Sequence, residues 1–196
     1  MCIAGIPVPI YQSEEELNGL RKLVQAARPL AILEIGSLFG GTLWCWMHDS
    51  APGATIVSVD TGVQSLDYRH EEVECARRLW PTWANSFERT LVPVRSDSRH
   101  SDTVRKVGES GPFDFIFVDG GHDEATVWAD IENYWPMVKP DGGFLALHDI
   151  AYPDQNPVNF AVGKVWREFR VRTRGWSEIL RAENPEGIWG IGVAWK

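Results

Sequence analysis

The sequence predicts a single α/β domain built on a doubly wound, mostly parallel sheet. Two observations carry that prediction. Short apolar runs alternate with helix-length amphipathic stretches for most of the chain, the order that places parallel strands beneath crossover helices. The runs in the middle, such as FDFIFVD, are apolar at nearly every position, as expected of strands covered on both faces. With 196 residues, 44% of them hydrophobic, the chain suits one full core.

The elements follow in order. Ser13-Glu-Glu-Glu16 reads as a capping box opening a helix whose Leu17, Leu20, Leu23, Val24 and Ala27 share a face, and Pro29 ends it. AILEIG is the first strand, and GGTLWCWMHD the helix after it. ATIVSVD is the second strand, and a helix is expected over residues 66–87, interrupted at Pro81. TLVPVRSD is a weaker third strand, followed by a short helix in HSDTVRKVGES. FDFIFVD is the fourth strand, residues 124–137 a helix, and GFLALHD the fifth strand. A helix over residues 163–173 precedes two closely spaced strands, WSEILRA and IWGIGVAW, so at least one of these pairs antiparallel. Residues 1–28 read as an N-terminal lid and helix, residues 150–160 as a substrate-facing loop, and the whole of 1–196 as one domain.

Composition excludes several classes. Nineteen basic residues stand against 27 acidic ones, a net charge of −8, which disfavours a nucleic-acid partner. The mildly basic, aromatic ARRLWPTWANSFER fits an ordinary amphipathic helix. Cys2, Cys45 and Cys75 have no metal-ligand spacing, and their odd number argues for a reducing cytoplasm rather than a disulfide framework. No run of about 18 apolar residues is present, and the first residues lack a signal-peptide pattern, so no membrane association is expected. Ten tryptophans, among them Trp80, Trp83, Trp128, Trp135, Trp166 and Trp176, are expected chiefly in the core. Together with the final IWGIGVAWK they could equally make a homo-oligomer interface.

In doubly wound sheets ligands bind beyond the carboxyl ends of the strands. Five successive strands end at or near an acid: Glu34, Asp60, Asp97, Asp119 and Asp149. The turn Glu34-Ile-Gly36-Ser37-Leu-Phe-Gly40-Gly41-Thr42 joins strand to helix, and its glycines allow backbone to pass close beneath a ligand. The spacing is not the G-x-G-x-x-G of a dinucleotide fold, and no Tyr-x-x-x-Lys is present, so a nicotinamide-dependent oxidoreductase is disfavoured. Asp60 is placed to accept two ribose hydroxyls, although Asp before Thr61-Gly62 also suits a turn. Asp97 has two readings of equal standing, an adenine contact and a helix N-cap.

On these residues the chain resembles the class I S-adenosylmethionine-dependent methyltransferases, from Pro29 to Asp149. The resemblance implies a Rossmann-like, seven-stranded sheet with helices on both faces and an antiparallel last strand. It also implies S-adenosyl-L-methionine as cofactor, met by Glu34, Gly36, Ser37, Gly40, Thr42, Asp60, Asp97, Ser98 and Asp119. The fourth strand ends in Asp119-Gly-Gly-His122-Asp123, without the Asn/Asp-Pro-Pro-aromatic turn of many amino-group methyltransferases. This segment and the His148-Asp149 pair resemble the metal-dependent small-molecule O-methyltransferases, a group that includes macrolide-sugar O-methyltransferases and proteins called cephalosporin hydroxylases. By that resemblance Asp119 and Asp149 hold Mg²⁺ or another divalent cation, His148 is a further ligand or a partner that orients the ligands, and His122 is the foremost candidate for general base, with a water as the alternative. Asp119 also counts among the catalytic residues, and the partner is a small hydroxylated acceptor, a sugar or natural product. Gly121 stands where many relatives carry a further Asp. A bland reading remains for each: His122 as a helix cap, His148 as a core histidine, Asp149 as a turn acid. A cofactor-binding protein of this fold with other chemistry, or none, is the standing alternative.

Overall fold

A computed structural model describes residues 5–62, 70–151, 160–182 and 189–196. Its seven-stranded sheet has the order β3-β2-β1-β4-β5-β7-β6. The parallel part is β1 (Ala31–Ile35), β2 (Thr55–Val59), β3 (Thr90–Val94), β4 (Phe115–Val118) and β5 (Phe144–His148). β7 (Ile191–Trp195) runs antiparallel to β5, and β6 (Gly175–Ile179) lies antiparallel to β7 at the edge. The strand order turns back between β1 and β4, and that switch point sets where a ligand can enter from the carboxyl ends.

Alternation along each strand divides the core between the two faces. Ile32, Phe115, Phe117 and Ala146 point to one side, where α1 (Glu14–Ala27), α2 (Gly41–Asp49) and α4 (Trp80–Ser86) pack around Trp46. Leu33, Ile116, Val118, Leu145 and Leu147 point to the other, against α5 (Ser101–Gly108), α6 (Glu124–Tyr134) and α7 (Val162–Arg170). Trp46 and Trp166 are fully buried, but Trp176 is 45% exposed, so the tryptophans are not uniformly core. IWGIGVAWK contributes β7, an interior strand, and its Ile191, Val193 and Ala194 are buried in the chain's own core.

Three local expectations are corrected. Ser13 is the N-cap of α1 but makes no side-chain cap bond. Glu16 is instead wholly buried, and its carboxylate accepts from the backbone N–H groups of Arg181 and Gly190. Along the same helix Leu17, Leu20 and Val24 are buried, whereas Ala27 is exposed. Pro81 does not interrupt a helix: the break falls between α3 (His70–Arg77) and α4, and Pro81 sits in the first turn of α4, where a missing N–H costs nothing. Residues 63–69, which include the start of that expected helix, lie outside the described residues, as do Cys2 and most of the 150–160 loop. Cys45 and Cys75 are free. No described helix is long and apolar enough to cross a membrane.

Candidate active site

A cavity of about 650 Å³ opens at the carboxyl ends of β1 to β5, a volume ordinary for a cofactor or small-molecule site. Of the expected residues, Gly36, Ser37, Thr42, Asp60, Asp97, Ser98, Asp119, His122, His148 and Asp149 line it. Glu34 and Gly40 do not. Strand alternation turns Glu34 toward the same face as Ile32, where it is completely buried beneath the loop. There it accepts from Ser37 Oγ at 2.7 Å and from Trp46 Nε1 at 2.9 Å. Burial pushes its carboxyl up to about 7, against hydrogen bonds from Thr42, Ser37 and Trp46 that pull it down. Gly36 lies against the neighbouring strand end: a Cβ there would come within 2.0 Å of the Asp119 carbonyl oxygen. Its φ of 86° suits glycine as well.

The second strand end departs further from expectation. Asp60 Oδ2 accepts the amides of Ser37 (3.0 Å) and Leu38 (2.9 Å), while Oδ1 accepts Gly62 N and Arg77 Nη2, both at 2.7 Å. Four donors fill the acceptor capacity of a carboxylate, so Asp60 builds the loop before it meets any ribose. Asp97 is also engaged. Its oxygens accept from the amide and guanidinium of Arg99, and that bonding holds its carboxyl down at about 2. The helix-cap reading of Asp97 fails, since His100 is the N-cap of α5. Ser98, the neighbouring residue, is buried, and its carbonyl accepts from Tyr134 Oη.

The ends of β4 and β5 converge. His148 Nδ1 lies 3.2 Å from Asp119 Oδ1 and 3.1 Å from Asp149 Oδ1, and His122 Nε2 lies 3.0 Å from Asp149 Oδ2. Simple alternation would send His148 and Asp149 to opposite faces. His148 does point toward the α1/α2 side with Phe117, but β5 stops there, and Asp149 takes a left-handed φ of 65° that turns its carboxylate back beside the imidazole. Asp119, His122 and Asp149 offer one ligand atom each within 4.8 Å of one another. His148 is wholly buried behind them. Its Nδ1 is near both carboxylates without an aligned hydrogen bond, an ion contact rather than a directional one. Burial would lower the pKa of this imidazole, but the Asp119 and Asp149 charges overcome it and raise it well above its usual value. Burial would raise Asp149, and the His148 charge with the bond from His122 outweighs it, so the carboxyl is held low. For His122 the Asp149 bond and charge outweigh burial, and its pKa is raised. Asp123, not His122, caps α6, through Thr126 N and Oγ1.

Several side chains were not singled out in the sequence, two of them within segments expected to cover the site. Gln12 Nε2 donates to Asp119 Oδ2 at 2.6 Å, bringing the segment before α1 into the site together with Pro9, Ile10 and Tyr11. Phe160 stacks on His122 at 4.2 Å, and Trp189, at φ 64°, closes the far wall. A Gln and a Trp outside any motif carry no signal of this kind.

A family model described as a methyltransferase domain matches residues 33–150. Among curated proteins, an uncharacterized protein of Sinorhizobium fredii is 27% identical over 158 residues, 74% of this chain. The chain spans only 16% of that relative's length. Among solved structures, an O-methyltransferase from Bacillus cereus in complex with SAH has a TM-score of 0.67 at 21% identity, over 98% of this chain and 86% of that one. The O-methyltransferase TomG from Streptomyces achromogenes, in complex with SAM, has 0.66 at 15% identity, over 98% and 82%. MycE methyltransferase of the mycinamycin biosynthetic pathway, in complex with Mg and SAH, has 0.56 at 17% identity, over 90% and 48%. At such identities the likeness is one of fold.

Proposed function

The chain belongs to the methyltransferase-domain family, and from that membership we propose an S-adenosylmethionine-dependent O-methyltransferase that acts on a hydroxyl of a small molecule. A divalent cation, Mg²⁺ foremost, takes part. The observation that carries the reading is the meeting of Asp119, His122, His148 and Asp149 on one wall of the cavity whose other wall is the glycine loop. The Mg and SAH bound in MycE support the cation and the cofactor, and the mycinamycin pathway of MycE with the TDP-rhamnose 3'-O-methyltransferase CalS11, which has a TM-score of 0.56 at 17% identity, supports a sugar or natural-product acceptor.

Asp119, His122 and Asp149 offer two carboxylates and an imidazole within 4.8 Å, a set that suits a divalent cation, with the carboxylates serving a hard ion such as Mg²⁺ and the buried ring of His148 lying against both of them. Asp119 and Asp149 would hold the cation, with His148 as a further ligand or the group that orients them. Bound there, such an ion lowers the pKa of an acceptor hydroxyl and fixes its oxygen. The cofactor supplies a methyl already activated on sulfur, so the protein's task is chiefly alignment. His122 is 36% exposed at its side chain, against 3% for His148, and so is the histidine an acceptor can reach. Asp149 orients its ring, Phe160 stacks on it, and it receives the acceptor's proton. On the opposite wall Gly36, Ser37 and Thr42 meet the methionine and ribose parts, and Ser98 the adenine. Asp97 reaches adenine only by giving up a bond from Arg99.

Titration calorimetry with S-adenosylmethionine, followed by transfer assays over a panel of sugars and phenols with and without EDTA, tests both halves. No heat at millimolar cofactor sinks the first half. Undiminished transfer after chelation removes the cation from the mechanism.

A further inference from the structure

We propose that Arg77 is a positioning residue for the cofactor: it locks the glycine loop through Asp60 and Leu38 and thereby sets cofactor affinity. The inference rests on the cofactor reading above. It starts from Leu38, a non-glycine residue held at φ 45°, where a side chain is strained. Such a conformation persists only if its surroundings fix it, and here both of its peptide groups are tied. Its N–H donates to Asp60 Oδ2 at 2.9 Å, and its C=O accepts from Arg77 Nε at 3.3 Å. Arg77 Nη2 closes the ring by donating to Asp60 Oδ1 at 2.7 Å. One guanidinium therefore holds the strained carbonyl and the carboxylate that holds the strained amide. Its planar fork suits two acceptors at once, which an ammonium does not.

The helix that follows completes the jig. Trp80 Nε1 donates to Phe39 O at 3.0 Å, and the Arg77 guanidinium lies 5.4 Å from the Trp80 ring centre. Gly40 packs on the same indole, where a Cβ would approach Nε1 to 2.2 Å. Three consecutive loop residues are thus fixed from α3 and α4, elements whose side chains Arg77 and Trp80 stay outside the cavity. The glycine at position 40 answers to Trp80, not to the ligand. Asp60, with its acceptors filled, acts on the cofactor mainly through the loop it supports.

S-adenosylhomocysteine binding to the full-length protein, measured by calorimetry, tests this. Arg77→Met is expected to weaken binding about tenfold or more while the folded fraction and near-UV spectrum stay those of wild type. Arg77→Lys should recover part of the loss, since it can reach one acceptor but not both. Glu74→Gln, which removes another partner of Arg77 at 3.5 Å, should change affinity by less than about twofold. Tighter binding by Arg77→Met would show that Arg77 obstructs the cofactor, and unchanged binding would show that it only packs; either overturns the inference. If wild type itself fails to bind, the cofactor reading falls, and this inference with it.

Discussion

The two walls of the cavity are built on opposite principles. On the wall formed by β1, β2 and the glycine loop, each charge is spent on the protein's own backbone and side-chain donors. Asp60 has four donors, and Glu34 is bonded by Ser37 and Trp46. On the wall formed by the ends of β4 and β5, two carboxylates and two imidazoles crowd together, and His148 meets its neighbours by charge without aligned bonds. The first wall is a finished mould, because satisfied buried groups resist rearrangement. The second is held together by opposed charges and is open to further coordination.

The contrast is broken or sharpened first at the carboxylates. Asp119→Asn and Asp149→Asn should each lower methyl transfer by about 10³-fold, the scale of losing a metal ligand or an electrostatic stabiliser at the reacting centre. Affinity for S-adenosylhomocysteine should stay within about threefold. If either variant turned over like wild type, the charged wall would be structural only, and the distinction between the walls would vanish.

A smaller effect separates the histidines. Mn²⁺ binding, followed by electron paramagnetic resonance, should weaken about 10- to 100-fold in His148→Ala, as for loss of a ligand or its orienting partner. In His122→Ala it should change little, while turnover falls about 10²-fold, the loss of a general base. Equal loss of Mn²⁺ in both variants would move His122 from base to ligand, which the 4.8 Å grouping of Asp119, His122 and Asp149 allows.

The sequence made the first wall's position legible and hid its workings. Periodicity and the run of acids at strand ends located all five parallel strands and the cavity, because strand ends in such a sheet converge by geometry alone. What each acid does depended on its donors, on another helix for Asp60 and two residues on for Asp97. Arg77 saturates Asp60 from α3, and Arg99 occupies Asp97, and no local pattern announces either. Glu16 did leave a trace: it lies in phase with Leu20 and Val24 on the apolar stripe of α1, a position a capping box does not explain. At the second wall, residue types were legible but orientation was not. Aspartate tolerates the left-handed region better than most residues, but nothing in HDI says that Asp149 adopts it and so comes to lie beside His148.

The mildest test reaches the first wall through Glu34, whose partners leave its protonation free to change. Its carboxyl is raised by burial to about 7 in the folded protein, against an ordinary 4.5. The folded state therefore binds the proton more tightly than the unfolded chain, and the associated stability is present in full below about pH 4.5. It is lost as pH rises through about 7, and the whole change amounts to on the order of 3 kcal/mol. Glu34→Gln keeps the size of the side chain and cannot ionise. Urea unfolding of both proteins between pH 5 and 8 should show wild type losing stability relative to the variant as pH rises, with the gap growing toward pH 7 and levelling above it. A pH-independent gap would mean that Glu34 stays ionised when buried, bonded by Ser37 and Trp46 well enough to offset its desolvation. The mould would then be finished in charge as well as in hydrogen bonds, and the difference between the two walls would be sharper still.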